Sequence, residues 1–151
     1  MDSGSATVHR NDPAVIRKLL ANPGRWAVVG LSANKARVAY GIASYLQGLG
    51  MKIVPVHPQA DTVHGEPGFR TLAEVAAASD HPIDVVDVFV RSELAGDVVD
   101  QAIAIGARAV WLQLGVVDEA AAARARAAGL DVVMDTCPAI EAPRLGLEKQ
   151  A

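Results

Sequence analysis

Short continuous apolar runs alternate along the chain with stretches whose apolar residues recur every three or four positions. The first kind reads as strands covered on both faces, the second as helices with one apolar stripe. After a flexible start over residues 1–12, "NDPAVIRKLL" predicts a helix. Asp12 caps it, Pro13 takes its first position, and Val15, Ile16, Leu19 and Leu20 share a face. "RWAVVGL" is the first strand. In "YGIASYLQGLG", Ile42, Tyr45, Leu46 and Leu49 repeat at helical spacing, and Gly50 ends the helix.

"MKIVPV" predicts strand two, followed by the polar loop "HPQADTVHGEPGFR". "TLAE" has the form of a capping box, with Thr71 and Glu74 opening a short helix. "DVVDVFV" is strand three, and Ser92 is expected to cap a helix carrying Leu94, Val98, Ala102 and Ile105. "ARAVWLQLG" is strand four, Asp118 opens an alanine-rich helix that stops at Gly129, and "LDVVMD" is strand five. The tail "TCPAIEAPRLGLEKQA" has two prolines and is expected to wrap over the surface. Five apolar strands joined by helices imply an α/β fold: one Rossmann-like, doubly wound, mainly parallel five-stranded sheet with helices on both faces. The expected domain spans residues 13–147, with residues 148–151 as a tail.

Composition narrows the function. The chain has 151 residues, 51% of them hydrophobic, enough for an ordinary buried core. No apolar run reaches the ~20 residues of a membrane span and the first ten residues lack a signal-peptide core, so a cytoplasmic protein without a membrane partner is expected. Cys137 is the single cysteine, which rules out an intrachain disulfide and a cysteine-built zinc site. A net charge of −3 with dispersed basic residues gives no footprint for nucleic acid. A small anion, which needs only a few local charges, remains compatible.

In sheets of this kind ligands bind outside the carboxyl ends of the strands. At the first strand end, Gly30 can make a tight turn, Ser32 adds a hydroxyl, and Lys35 and Arg37 add charge before a helix N-terminus. Ser32 stands where a dinucleotide fingerprint has its second glycine, so the turn either seats a phosphate with help from side chains or merely redirects the chain. At the second strand end the chain reads Pro55, Val56, His57, Pro58, without the acid that holds an NAD ribose. His57 is either a donor to a phosphorylated ribose or an ordinary loop histidine. At the third, Phe89 and Val90 offer an apolar surface and Arg91 a cation. His57, Asp61 and His64 match no recognised metal-site spacing.

Taken together, "VVGLS" with Arg37 and Tyr40 after it, "YLQGLGMKIVPVHP", "VDVF" with "RSE", "AIAIGARAVWLQLGV", "AGLDVVMD" and "CPAIEAPRLGL" resemble the small stand-alone, YccU-like CoA-binding proteins of bacteria. Their domain is similar to the CoA-binding domain of the succinyl-CoA synthetase alpha subunit. The resemblance runs from about Ala14 to Leu147. It implies pyrophosphate at the first turn, adenosine with its 3'-phosphate near strands two and three, and pantetheine across the sheet edge. Carried over onto matching positions, the ligand residues are Gly30, Ser32, Arg37 and Tyr40; Pro55, Val56 and Pro58; and Phe89 and Arg91. Leu31, Lys35, His57, Val90, Gln113 and Cys137 complete the expected site. The chain departs from the family pattern at Lys35, Ala39, Val90 and Thr136, where proline, serine, arginine and arginine are usual.

The function implied is non-catalytic binding of coenzyme A or acyl-CoA, in a sensing or regulatory role. The alternatives are a subunit or remnant of an acyl-CoA ligase or transferase, and a nicotinamide-dinucleotide-binding redox sensor. The expected partners are the CoA ligand and either a second copy of the chain or an unidentified protein. If Cys137 lies at the pantetheine end, it is also a candidate for a mixed disulfide with the CoA thiol.

Overall fold

A computed structural model describes residues 8–147. Each apolar run forms a strand: β1 (Arg25–Val29), β2 (Lys52–Val56), β3 (Val85–Val88), β4 (Ala109–Leu112) and β5 (Asp131–Met134). All pairings are parallel and the order is β2-β1-β3-β4-β5. The sheet is thus wholly parallel and Rossmann-like, and its winding reverses between β1 and β3. Pro55, which has no N–H to donate, is tolerated because β2 is an edge strand. Phe69 pairs along that edge, its N–H donating to the Pro55 carbonyl at 2.9 Å and its carbonyl accepting from His57 at 2.9 Å.

The six helices among the described residues are α1 (Pro13–Ala21), α2 (Val38–Gly48), α3 (Leu72–Ala78), α4 (Ser92–Ala104), α5 (Glu119–Ala127) and α6 (Pro138–Arg144). Strand alternation sends Ala27, Val86, Val110 and Val132 into one core layer with α3, α4 and α5, and Trp26, Val28, Val85 and Trp111 into the other with α1, α2 and α6. In the second layer Trp26 and Trp111 pack at 5.6 Å between ring centroids, and the Trp111 indole N–H donates to the Thr136 carbonyl at 2.9 Å. Asn11 both donates to the Met134 carbonyl and accepts from the Met134 N–H, so its amide closes the free edge of β5.

Four local expectations are corrected. The tail is not a surface wrap: Pro138–Arg144 is helical, with Pro138 in the first turn, Ala142 buried, and Leu145 and Leu147 against the second core layer. Proline at a helix start is favourable, and Pro143 forgoes a hydrogen bond only where the helix is about to end. Ser92 is not a cap either. Arg91 occupies the cap position, while the Ser92 hydroxyl accepts from the Val117 N–H at 3.0 Å and donates to the Gly115 carbonyl at 3.3 Å. It therefore ties α4 to the loop after β4. Leu94, expected on the apolar face of α4, is 45% exposed. The Thr71–Glu74 box forms with a shift: Thr71 accepts from the Glu74 N–H, but Glu74 accepts from Arg70 rather than from Thr71.

Candidate functional site

The winding reversal opens a crevice between the loops after β1 and β3, as it must when consecutive crossovers leave a sheet on opposite faces. Here it is a cleft of about 590 Å³ lined from three strand ends. β1 contributes Gly30, Ser32 and Arg37; β2 contributes Val56, His57 and Pro58; β3 contributes Phe89, Val90 and Arg91. Arg70 arrives beside them because the long loop after β2 returns along that strand's outer edge through Phe69.

At the floor of the crevice, Gly30 lets the turn after β1 come close to the segment after β3. Its φ is +102°, and a Cβ there would stand 2.5 Å from the Phe89 carbonyl oxygen. Gly30→Ala combines a backbone conformation hostile to L side chains with a backbone clash, so it is expected to cost about 3 kcal/mol of stability. Urea denaturation measures this directly, and a loss below about 1 kcal/mol would contradict the proposed geometry.

Charge is arranged one way. Arg37, Arg70 and Arg91 line the cleft, none of them forms an ion pair with a carboxylate among the described residues, and the lining includes no Asp or Glu. Helix ends add to this. α1, α3 and α5 begin with Asp12, Thr71 and Asp118, whose side chains accept a first-turn N–H. α2, α4 and α6 have no side-chain cap, and of these the two that flank the crevice, α2 and α4, begin with Arg37 and Arg91. Their first-turn amides carry partial positive charge, and an arginine stands at each end. That combination suits a polyanion whose phosphates replace the missing caps. A smaller cleft of about 120 Å³, lined by Gly30, Arg37, Val38, Ala39 and Phe89, continues from the first over the start of α2.

The loop before α2 is differently provided for. Ala33 donates to Asp61 at 3.0 Å, Asn34 to the Ser32 hydroxyl at 3.2 Å, and Ala36 to the Asn34 side chain at 3.0 Å. These amides are held within the loop, so anion contacts fall to the Ser32 hydroxyl, Arg37 and the helix end itself. At β2, the His57 Nδ1 accepts from the Gln59 N–H at 3.1 Å, which leaves Nε2 as the proton-bearing nitrogen of the neutral ring. Asp61 and His64 are separately engaged: the His64 Nε2 lies 2.7 Å from the Tyr40 carbonyl, and the two rings pack at 4.3 Å.

Of the residues singled out from the sequence, Gly30, Ser32, Arg37, Val56, His57, Pro58, Phe89, Val90 and Arg91 line the main cleft. Leu31 and Pro55 are buried behind it, Lys35 is exposed on the loop, and Tyr40 is packed on His64. Gln113 and Cys137 are buried at the ends of β4 and β5. Gln113 follows β4 on the row of Phe89 and donates to the Asp87 carboxyl at 2.8 Å. Asp87 is fully buried and its second oxygen has no partner among the described residues. Burial pushes this carboxyl up to about 8 despite the opposing Gln113 hydrogen bond, so Asp87 is protonated at neutral pH. Burial also pushes the Cys137 thiol up, with the amides of Ala139 and Ile140 opposing and Asp87 reinforcing. That withdraws the thiolate on which disulfide exchange depends.

Val29, Asn34, Gln59, Arg70 and Leu94 line the cleft and were not anticipated. Asn34 and Gln59 lie inside loops already under suspicion. Arg70 carried no signal, since its position depends on a non-local pairing with β2.

Residues 24–143 match the CoA binding domain family. The Bacillus subtilis (strain 168) protein YneT is 36% identical over 124 residues, 82% of this chain and 89% of its own length. A protein of Pyrococcus horikoshii OT3 superposes with a TM-score of 0.80 at 31% identity, covering 91% of this chain and 97% of that one. A dinucleotide-forming acetyl-coenzyme A synthetase of Ca. Korarchaeum cryptofilum superposes with a TM-score of 0.63 at 22% identity, over 80% of this chain and 28% of its own, a likeness of fold alone.

Proposed function

Because the chain belongs to the CoA binding domain family, we propose that the crevice between β1 and β3 binds coenzyme A or an acyl-CoA without transforming it. The observation that carries this reading is the pair of uncapped helix starts, each with its own arginine, on either side of one carboxylate-free cleft. CoA brings about four negative charges when its phosphates are ionised, matched in kind by Arg37, Arg70, Arg91 and the two helix ends.

In this reading Gly30, Leu31, Ser32 and Arg37 seat the pyrophosphate, with the Val38 and Ala39 amides in the capping role. Lys35 contributes long-range attraction, and Tyr40 braces the start of α2. Pro55, Val56, His57 and Pro58 form the adenosine wall, with His57 and Arg91 toward the 3'-phosphate and Phe89 and Val90 as the apolar floor. Pantetheine then runs over Phe89 toward Gln113 and Cys137. Without a carboxylate beside the lone cleft histidine, the site has no acid and base pair, which favours binding over chemistry. A sensing role follows if occupancy alters what a second protein meets at this edge.

Calorimetric titration with CoA, dephospho-CoA and NAD tests the reading. CoA is expected to bind, with dephospho-CoA about tenfold weaker because one charge-assisted contact is lost. NAD, whose phosphate charge only equals that of dephospho-CoA, carries a cationic nicotinamide and meets no acid to hold its ribose, so it is expected to bind weakest. No heat with CoA, or equal affinity for NAD, would overturn it.

A further inference from the structure

Six large apolar residues are exposed among the described ones, and five of them lie just beyond strand ends on the carboxyl edge. Val38 begins α2 after β1, Leu94 lies in the first turn of α4 after β3, Leu114 and Val117 follow β4, and Ile140 lies in the first turn of α6 after β5. The sixth, Val8, precedes α1. Exposed apolar residues scattered at random need no explanation, but confinement to one edge does.

Charge divides the same edge in two. The β1, β2 and β3 side has the arginines. Beyond β4 and β5 stand Asp135 and Glu141, and the nearby cation, Arg144, is paired with Glu141 at 3.4 Å. The register Val29, Val88, Leu112, Met134 places Gly30, Phe89, Gln113 and Asp135 in one row across the sheet. The smaller cleft, floored by Phe89 and flanked by Val38, shares Gly30, Arg37 and Phe89 with the cationic one and extends the crevice past the start of α2. α2 also packs on α6. The row Gly30, Phe89, Gln113 thus leads from the arginines to the end of β4, where Leu114 follows, and Ile140 stands on the helix that follows β5.

We propose that the β4–β5 half of this edge receives the acyl end of a CoA thioester and selects an uncharged aliphatic acyl group over a carboxylated one. The proposal rests on the coenzyme A reading above and goes beyond it in naming the ligand class. Leu114, at 62% exposure, and Ile140, at 37%, lose water contact when an aliphatic chain covers them. A terminal carboxylate placed there meets Asp135, which is in no ion pair among the described residues, and Glu141, whose cation Arg144 is already engaged.

Competition titrations with free CoA, acetyl-CoA, butyryl-CoA and succinyl-CoA decide it. Affinity is expected to rise from CoA through acetyl-CoA to butyryl-CoA, by about twofold to fourfold for each methylene covered. Succinyl-CoA, of similar length to butyryl-CoA, is expected to bind about tenfold more weakly than it. The double substitution Leu114→Ser with Ile140→Ser, at exposed positions where folding is little affected, is expected to erase the butyryl advantage measured against free CoA in the same protein. Equal affinity for all four ligands, or tighter binding of succinyl-CoA, overturns the acyl proposal while leaving CoA binding intact. Failure of free CoA itself to bind overturns the parent reading instead.

Discussion

Asp87→Asn is expected to make the protein more stable at pH 7, by about 2 kcal/mol, and to flatten its dependence on pH. The carboxyl lies in the middle of the sheet with one oxygen bonded to Gln113 and the other without a partner among the described residues. Its folded value is raised to about 8 from an ordinary 3.8. Between those limits the folded protein keeps a proton that the unfolded chain has released, so stability falls as pH rises, by about 1.4 kcal/mol per pH unit. The loss begins above the unfolded value and is complete once pH passes the folded one. At pH 7 it amounts to an upper limit on the order of 4 kcal/mol.

Asparagine accepts from Gln113 as before and never ionises, but it leaves an amide hydrogen where the unpartnered oxygen was, which offsets part of the gain. Urea unfolding of both proteins at pH 5, 6.5 and 8 measures the effect. The curves are expected to converge at pH 5 and to separate toward pH 8, with the variant higher. Parallel curves would show that Asp87 does not hold its proton. Gln113 loses its oriented partner only if the side chain rotates, so CoA affinity at pH 7 is expected to be nearly unchanged in the variant.

The second large effect concerns ligand affinity. The double substitution Arg37→Gln with Arg91→Gln is expected to weaken CoA binding about 100-fold and to lower its sensitivity to salt. Each arginine stands at the start of an uncapped helix, and each removal takes away one charge-assisted contact, about tenfold for a group this exposed. Neither guanidinium is paired with a carboxylate among the described residues, so the melting temperature is expected to stay within a few degrees. Arg→Lys at both positions keeps the charge and loses the planar fork, and an intermediate loss is expected. Undiminished affinity in the glutamine variant would place the phosphates elsewhere, and a large drop in melting temperature would make the loss a folding effect.

Much of the fold was legible along the chain because its signals are local. A run such as "WAVV" can be apolar throughout only if both faces are covered, and that condition already implies a parallel sheet between helix layers. Asp12, Thr71 and Asp118 marked helix starts because a side-chain oxygen satisfies an N–H two or three residues on. Ser92 misled for the same reason. Its hydroxyl is suited to capping, but a tertiary contact with the loop after β4 claims it. The helix Pro138–Arg144 was missed because two prolines read as breakers, whereas one sits where helices begin and the other where this one ends.

The sequence by itself determined that five buried strands alternate with helices, that Gly30 turns the chain after the first of them, and that no acid follows the second. Each of these depends on residues a few positions apart. Only the tertiary structure decided that β1 and β3 are neighbours, so that Arg37 and Arg91 flank one cleft, that the return along β2 brings Arg70 to it, and that the exposed apolar residues share its edge. It also decided that Asp87 is sealed from water and Cys137 nearly so. Strand order, burial and the desolvation that shifts a proton are set by which elements pack together across the whole chain, and no local pattern carries that information.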